Sequence, residues 1–390
     1  MKKTFSSLLR NMSPTLFLSM VVLIVIGALF IYSACSLRED AVLQRLHLQH
    51  LAMGGIGLFV YFAAASANYR SIFRWRWFFY AATLALLVLV LAIGSSRMGA
   101  RRWLFGIQPS ELAKLAVIVV LARLYGRPGA RRGIGTFLLT LVIAGVPAVL
   151  VLLQPDLGTA LVIAPTIFAM LFAAKVAPRM VWGFAGTAVL AVSLVLGLLL
   201  YADRPDVTPE RRTKIIRMTG LRPHQVRRLQ VFLFPDRDLH GSGYNRWQSE
   251  IAVGSGGTWG KGFGRGEQYS LGYLPPSIST NDFIFSVLAE ETGFAGSLMV
   301  LLLFLGLLWS GTGVAFRCQD DTGRLYCVGV MALVFSHTFV NIAMTIGMMP
   351  ITGLPLPFIS YGRTFLLTLM VALGLVQSVS VYGQEPEERF

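Results

Sequence analysis

Long apolar runs separated by short polar turns dominate the chain, and each approaches the roughly 20 residues an α-helix needs to cross a hydrocarbon core. The pattern predicts spans at about 15–35, 48–66, 77–95, 109–126, 136–154, 157–174, 180–201, 282–310, 325–347 and 358–382. About ten such spans in 390 residues describe an all-α, polytopic membrane protein. One interruption breaks the rhythm: residues 202–281 are polar and form a large loop between the seventh and eighth spans. Residues 1–390 therefore read as a single membrane domain with that loop inside it.

Basic residues in short loops stay on the cytoplasmic side. Arg70, Arg74 and Arg76 follow the second span; Arg123, Arg127, Arg131 and Arg132 follow the fourth; Lys175 and Arg179 follow the sixth; Arg317 and Arg324 follow the eighth. Together with Lys2, Lys3 and Arg10, they set both termini inside a cytoplasmic membrane and the 202–281 loop outside it. Arg97, Arg101 and Arg102 violate the rule on the outer side, which asks for a functional reason. The first span reads as an uncleaved helix rather than a signal peptide, because many further spans follow it.

Composition narrows the function classes. Charged residues make up 14% of the chain, well below the roughly 25% of soluble domains. A formal charge of +15 suits anionic lipid heads or phosphorylated lipid substrates. Nucleic acid is not expected as a partner, since no basic soluble domain is present. Cys35, Cys318 and Cys327 support neither a disulfide framework nor a cysteine metal site.

Candidate chemistry collects at the outer ends of the even-numbered spans, where helix N-termini present unsatisfied amides and a positive dipole end. The fourth opens with Gln108-Pro109-Ser110-Glu111, and Glu111 shares a face with Lys114 at i, i+3. The sixth opens after Gln154-Pro155-Asp156, where Asp156 is either a cap or a functional carboxylate. Asp282 lies at the bilayer edge between a flexible loop and Phe283-Ile284-Phe285. The dipole favours its carboxylate while burial favours the neutral acid, and the sequence leaves the direction open. Glu291 falls on the opposite helix face, so a carboxylate pair with Asp282 is not expected. His47 and His50 lack a third ligand, and His337 reads as a core histidine.

The 202–281 loop has two parts. ERRTKIIRMTGLRPHQVRRLQVFLFP alternates arginines with aliphatics, as an amphipathic helix on the membrane surface does. The second part holds Gly254, Gly256, Gly257, Gly260, Gly262, Gly264 and Gly266, which permit sharp turns or close approach of backbone to a ligand. It matches neither the dinucleotide fingerprint nor the P-loop, so no nucleotide or redox cofactor is expected.

At these motifs the chain resembles the RodA/FtsW (SEDS) family of membrane glycosyltransferases. The matching residues are Arg102-Trp103-Leu104, Gln108 to Glu111 with Lys114, Gln154 to Thr159, Gln248-Ser249, the Gly254 to Gln268 loop, Asp282 to Phe285, Glu290-Glu291, and Pro355-Leu356-Pro357 with Ser360-Tyr361-Gly362. Gln154-Pro155-Asp156-Leu157 is more like the elongation branch, RodA, than the division branch, FtsW. Two departures stand out. The family reads Leu-Pro-Glu-x-His-Thr-Asp before the catalytic aspartate, whereas Leu274 to Asp282 is two residues longer and lacks the Glu and His; Arg363 replaces a second glycine.

The resemblance implies polymerisation of lipid II, an undecaprenyl-diphosphate-linked disaccharide pentapeptide, into peptidoglycan strands during bacterial elongation. It implies Asp282 as catalytic base and a substrate-binding set of Arg102, Glu111, Lys114, Asp156, Gln248, Ser249, Gly256, Gly257, Lys261, Gln268 and Ser360. Arg102, Lys114, the loop arginines and a divalent cation, Mg2+ or Mn2+, would stabilise the leaving diphosphate; no metal ligands are assigned. A class B penicillin-binding protein and other elongation proteins are the implied partners. The rival readings are a flippase for a lipid-linked sugar, which needs no general base, and a scaffold with no chemistry.

Overall fold

The computed structural model describes residues 11–36, 40–97, 100–154, 156–235 and 241–384. Lys2, Lys3, Arg10 and Pro155 lie outside these, and the side chains of Arg97 and Arg101 are likewise not described. In chain order come α1 (Pro14–Cys35), α2 (Leu46–Ser66), α3 (Arg76–Ile93), strands β1 (Ser95–Arg97) and β2 (Ala100–Trp103), α4 (Pro109–Gly126), α5 (Ile134–Leu153), α6 (Leu157–Ala173) and α7 (Pro178–Ala202). After these come α8 (Pro209–Met218), α9 (Pro223–Leu233), α10 (Ser242–Ser255), α11 (Ile284–Arg317), α12 (Asp321–Thr345) and α13 (Arg363–Tyr382).

Eight of the described helices are long and apolar enough to cross a membrane. The 17-residue α6 and the 18-residue α4, which carries Glu111, Lys114 and Arg123, lie at two further positions where spans were expected. The chain is a polytopic helical membrane protein. α4, α12 and α13 are its most enclosed helices: α13 lies along α2, while α12 packs against α4, α6 and α11. α7 sits at the periphery and is the least buried of these spans.

Three features depart from the sequence pattern. Arg102 lies on a two-stranded antiparallel hairpin, β1–β2, which helical periodicity does not reveal. The amphipathic loop segment splits into α8 and α9 around Gly220, at φ 66°, and α9 buries Val226 and Val231 within the protein. α11 extends to Arg317, past the expected end, and is broken at Gly293, at φ 65° and ψ −159°.

That break explains the glycine-rich loop. Lys261 N–H donates to Glu290 O and Gly262 N–H to Glu291 O, each at 3.0 Å. Beyond the break, Phe294 N–H donates to Gly257 O at 2.8 Å and Ala295 N–H to Thr258 O at 3.0 Å. The loop thus satisfies backbone groups that the kink removes from the helix, as buried polar backbone requires. A Cβ on Gly256 would lie 2.1 Å from Ala289 O, and one on Gly260 2.1 Å from Glu291 O. The close approach that these glycines permit is to α11 backbone.

Gly260→Ala should therefore destabilise the protein by about 2 kcal/mol, combining a positive φ with a backbone clash. Thermal unfolding in detergent checks this, with Gly55→Ala, where a Cβ meets nothing within 4 Å, expected to melt as wild type.

Candidate functional site

Asp282 lies two residues before α11, and three consecutive carbonyls fix the chain there. Thr280 O accepts from Tyr361 N–H at 2.9 Å, Asn281 O from Ser360 Oγ at 2.6 Å, and Asp282 O from Asn341 Nδ2 at 2.9 Å. The donors come from α12 and from the segment between α12 and α13. The peptide is pinned, while the Asp282 side chain is partly buried.

Two guanidinium groups act on that carboxylate. Arg228 projects from α9, and its Nη1 donates to Thr352 O at 3.0 Å. A methyl on Gly353 would lie 3.5 Å from Arg228 Nη1 and 3.6 Å from Asp282 Oδ2, so Gly353, at φ 75°, floors the space beside both groups. Arg102 reaches in from β2, its Nη1 lying 3.7 Å from Asp156 Oδ1. Asp156 caps α6 through Thr159 N–H at 3.2 Å and also accepts from Gln108 Nε2 at 3.2 Å. It is thus both a helix cap and the partner of Arg102.

Burial pushes the Asp282 carboxyl above its ordinary range; Arg228 and Arg102 hold it down, and Asp156 adds to the rise. Burial also lowers the Arg228 pKa, an effect that Asp282 opposes. The net result is a carboxylate more basic than usual, beside cations suited to phosphate oxygens.

Within α4, Glu111 Oε2 and Lys114 Nζ form a buried ion pair at 2.8 Å. Lys114 Nζ also lies 2.8 Å from His337 Nε2 and over the Phe365 ring at 5.3 Å. His337 is buried, as expected, yet it is tied to an ion pair that sequence spacing did not connect with it.

The remaining expected site residues make contacts within the protein. Ser249 Oγ bonds Ser286 Oγ at 2.5 Å and Thr345 O at 2.8 Å, tying α10 to α11 and α12, while Gln248 is buried beside it in sequence. Gly256 packs on α11, and Gly257, at φ 54°, turns the loop. Lys261 Nζ is held by Glu290 at 2.8 Å and Glu267 at 3.2 Å; burial opposes its charge, but the two carboxylates outweigh it and raise its pKa. Gln268 is buried against the same glutamate, its N–H 3.3 Å from both Glu290 carboxylate oxygens. Ser360 holds the Asn281 carbonyl. Glu291 accepts from Ser33 and Tyr269, away from Asp282, in agreement with its helical phase. Gly256 thus meets protein backbone and Lys261 meets carboxylates.

Among the described residues, no three His, Cys, Asp or Glu side chains converge as a metal site. Arg228, read from sequence as one of several loop arginines, and Asn341, an amide within an apolar span that sequence reasoning did not single out, also join this arrangement.

The family described as Cell cycle protein (FtsW, RodA, SpoVE) matches residues 14–385. The peptidoglycan glycosyltransferase MrdB of Escherichia coli K12 is 35% identical, over 98% of this chain and 96% of that protein. A solved chain from a peptidoglycan synthase complex that coordinates polymerization and crosslinking superposes with a TM-score of 0.74 at 29% identity, covering 95% of this chain and 97% of its own. The rod shape determining protein RodA of Thermus thermophilus gives 0.67 at 27% identity, covering 96% and 98%.

Removing one member of the Glu111–Lys114 pair leaves a buried charge without its partner. Glu111→Gln or Lys114→Met alone should cost about 3–5 kcal/mol, whereas the double variant should recover much of the loss. Detergent melting of the four proteins measures the difference.

Proposed function

The chain belongs to the FtsW/RodA/SpoVE family, and we propose that it polymerises lipid II during cell elongation from a site centred on Asp282. It is a peptidoglycan glycosyltransferase, and the observation that carries the assignment of its site is Asp282 set beside Arg228 and Arg102. An enzyme of this class must remove a proton from an acceptor hydroxyl and stabilise the charge on a departing lipid diphosphate.

The residues divide that work. Asp282 takes the proton as the acceptor oxygen bonds to the anomeric carbon of the donor sugar, and the bond from that carbon to the diphosphate oxygen breaks. A carboxylate made more basic by burial suits a general base. Arg228 and Arg102 receive the developing negative charge on the diphosphate; being fixed by Thr352 O and Asp156, they need little reorganisation. Glu111 and Lys114 position α4 beneath the cleft. Donor chemistry allows a divalent cation, Mg2+ or Mn2+, as a counter-ion held by the substrate's diphosphate oxygens, since such ions bind largely through substrate phosphates. Its contribution would be charge neutralisation.

The basic short loops support cytoplasmic termini and a site on the outer face of the cytoplasmic membrane. There a class B penicillin-binding protein would crosslink the emerging strands. The related synthase complex supports that pairing.

The test is polymerisation of labelled lipid II by the purified protein with its transpeptidase, followed across pH. Strands should form, and activity should rise through an acid limb above the ordinary carboxylate range as Asp282 loses its proton. Arg228 holds the Asp282 pKa down, so Arg228→Gln should move that limb to still higher pH and lower the maximal rate. Absence of strands under every condition would contradict the polymerase reading; a limb unmoved by Arg228→Gln would contradict the charge assignment.

A further inference from the structure

His337 and Asn341 stand one turn apart on α12, on the same face and fully buried. A lysine ammonium is a donor alone, so in the 2.8 Å contact from Lys114 Nζ the His337 Nε2 is the acceptor and carries no proton. Asn341 Nδ2 donates both of its hydrogens, to Asp282 O at 2.9 Å and to Leu354 O at 2.7 Å. Leu354 is two residues from Thr352, whose carbonyl holds Arg228. One amide therefore joins the peptide bearing Asp282 to the segment that anchors its cation. Four residues earlier on the same helix, an imidazole fixes the ammonium of the buried ion pair. α12 is packed among α4, α6 and α11, so these attachments share one rigid support.

We propose that His337 and Asn341 are positioning residues for glycosyl transfer, and that through them α12 sets Asp282 and Arg228 in register with the Glu111–Lys114 pair. This rests on the reading of Asp282 as base. The chemistry requires that the carboxylate and the cations keep fixed places while charge moves from acceptor to leaving group, and α12 is the element that holds both.

The experiment compares kcat and KM for lipid II in the full-length protein with its transpeptidase. Asn341→Leu keeps the side-chain size and loses both donors; kcat should fall roughly ten- to hundredfold with KM within about threefold of wild type. His337→Phe should fall by a similar factor, whereas His337→Gln, which offers an acceptor oxygen, should return to within about threefold of wild type. Wild-type turnover in Asn341→Leu or His337→Phe, or equal loss in His337→Phe and His337→Gln, would overturn the proposal. Should Asn341→Leu yield no folded protein, the contrast at position 337 decides alone. Asp282→Asn, run alongside, separates this proposal from its premise: undiminished polymerisation there removes Asp282 as base, while the Gln-against-Phe contrast is read on its own.

Discussion

The break in α11 at Gly293 is the constraint on which the rest of the site depends. Beyond it, Phe294–Arg317 measures about 36 Å at 1.5 Å per residue, enough to span the membrane alone. The preceding turns, from Ile284, are enclosed in protein and carry Asp282 at their start. A kinked helix loses hydrogen bonds, and those groups need partners when buried. The glycine-rich loop supplies them, and Glu290 and Glu291 then hold the loop through Lys261 and Tyr269. Fold and site are one arrangement: the loop permits the break, and the break permits a short half-helix to aim a carboxylate into the cleft.

Charge within the cleft is balanced by position. Arg102 is restrained by Asp156, which is itself a cap; Arg228 is restrained by a backbone carbonyl, and Asp282 is left chemically available. Both arginines lower the Asp282 pKa, yet burial prevails. The group is therefore more basic than an exposed aspartate while remaining beside cations suited to a diphosphate. These requirements conflict in water, where cations would simply make the acid stronger; partial burial reconciles them.

Much of this was legible in the sequence. The long apolar helices follow from apolar run length, a signal that the membrane itself imposes. Glu111 and Lys114 were paired by i, i+3 spacing, and Glu291 was separated from Asp282 by helical phase; both agree with the observed contacts. What escaped depends on contacts distant in sequence. A glycine that approaches a ligand and one that approaches a helix leave the same mark, so Gly256 and Gly260 did not reveal their partner. Gly293 sits within an otherwise continuous apolar helix, and its backbone twist has no sequence signature. Arg228 shares the amphipathic pattern of its neighbours, and its direction is set only when α9 packs. Asn341 was not singled out and His337 read as a core histidine, because their partners, Asp282 and Lys114, lie 59 and 223 residues away.

The central claim is that Asp282 acts on the proton rather than on substrate binding, and the most direct measurement is the lipid II affinity of Asp282→Asn together with its turnover. The account predicts turnover reduced by about a hundredfold to ten-thousandfold, the range of a lost general base, with Kd within about threefold of wild type. Turnover that survives the substitution, or affinity that falls in parallel with it, would contradict the claim.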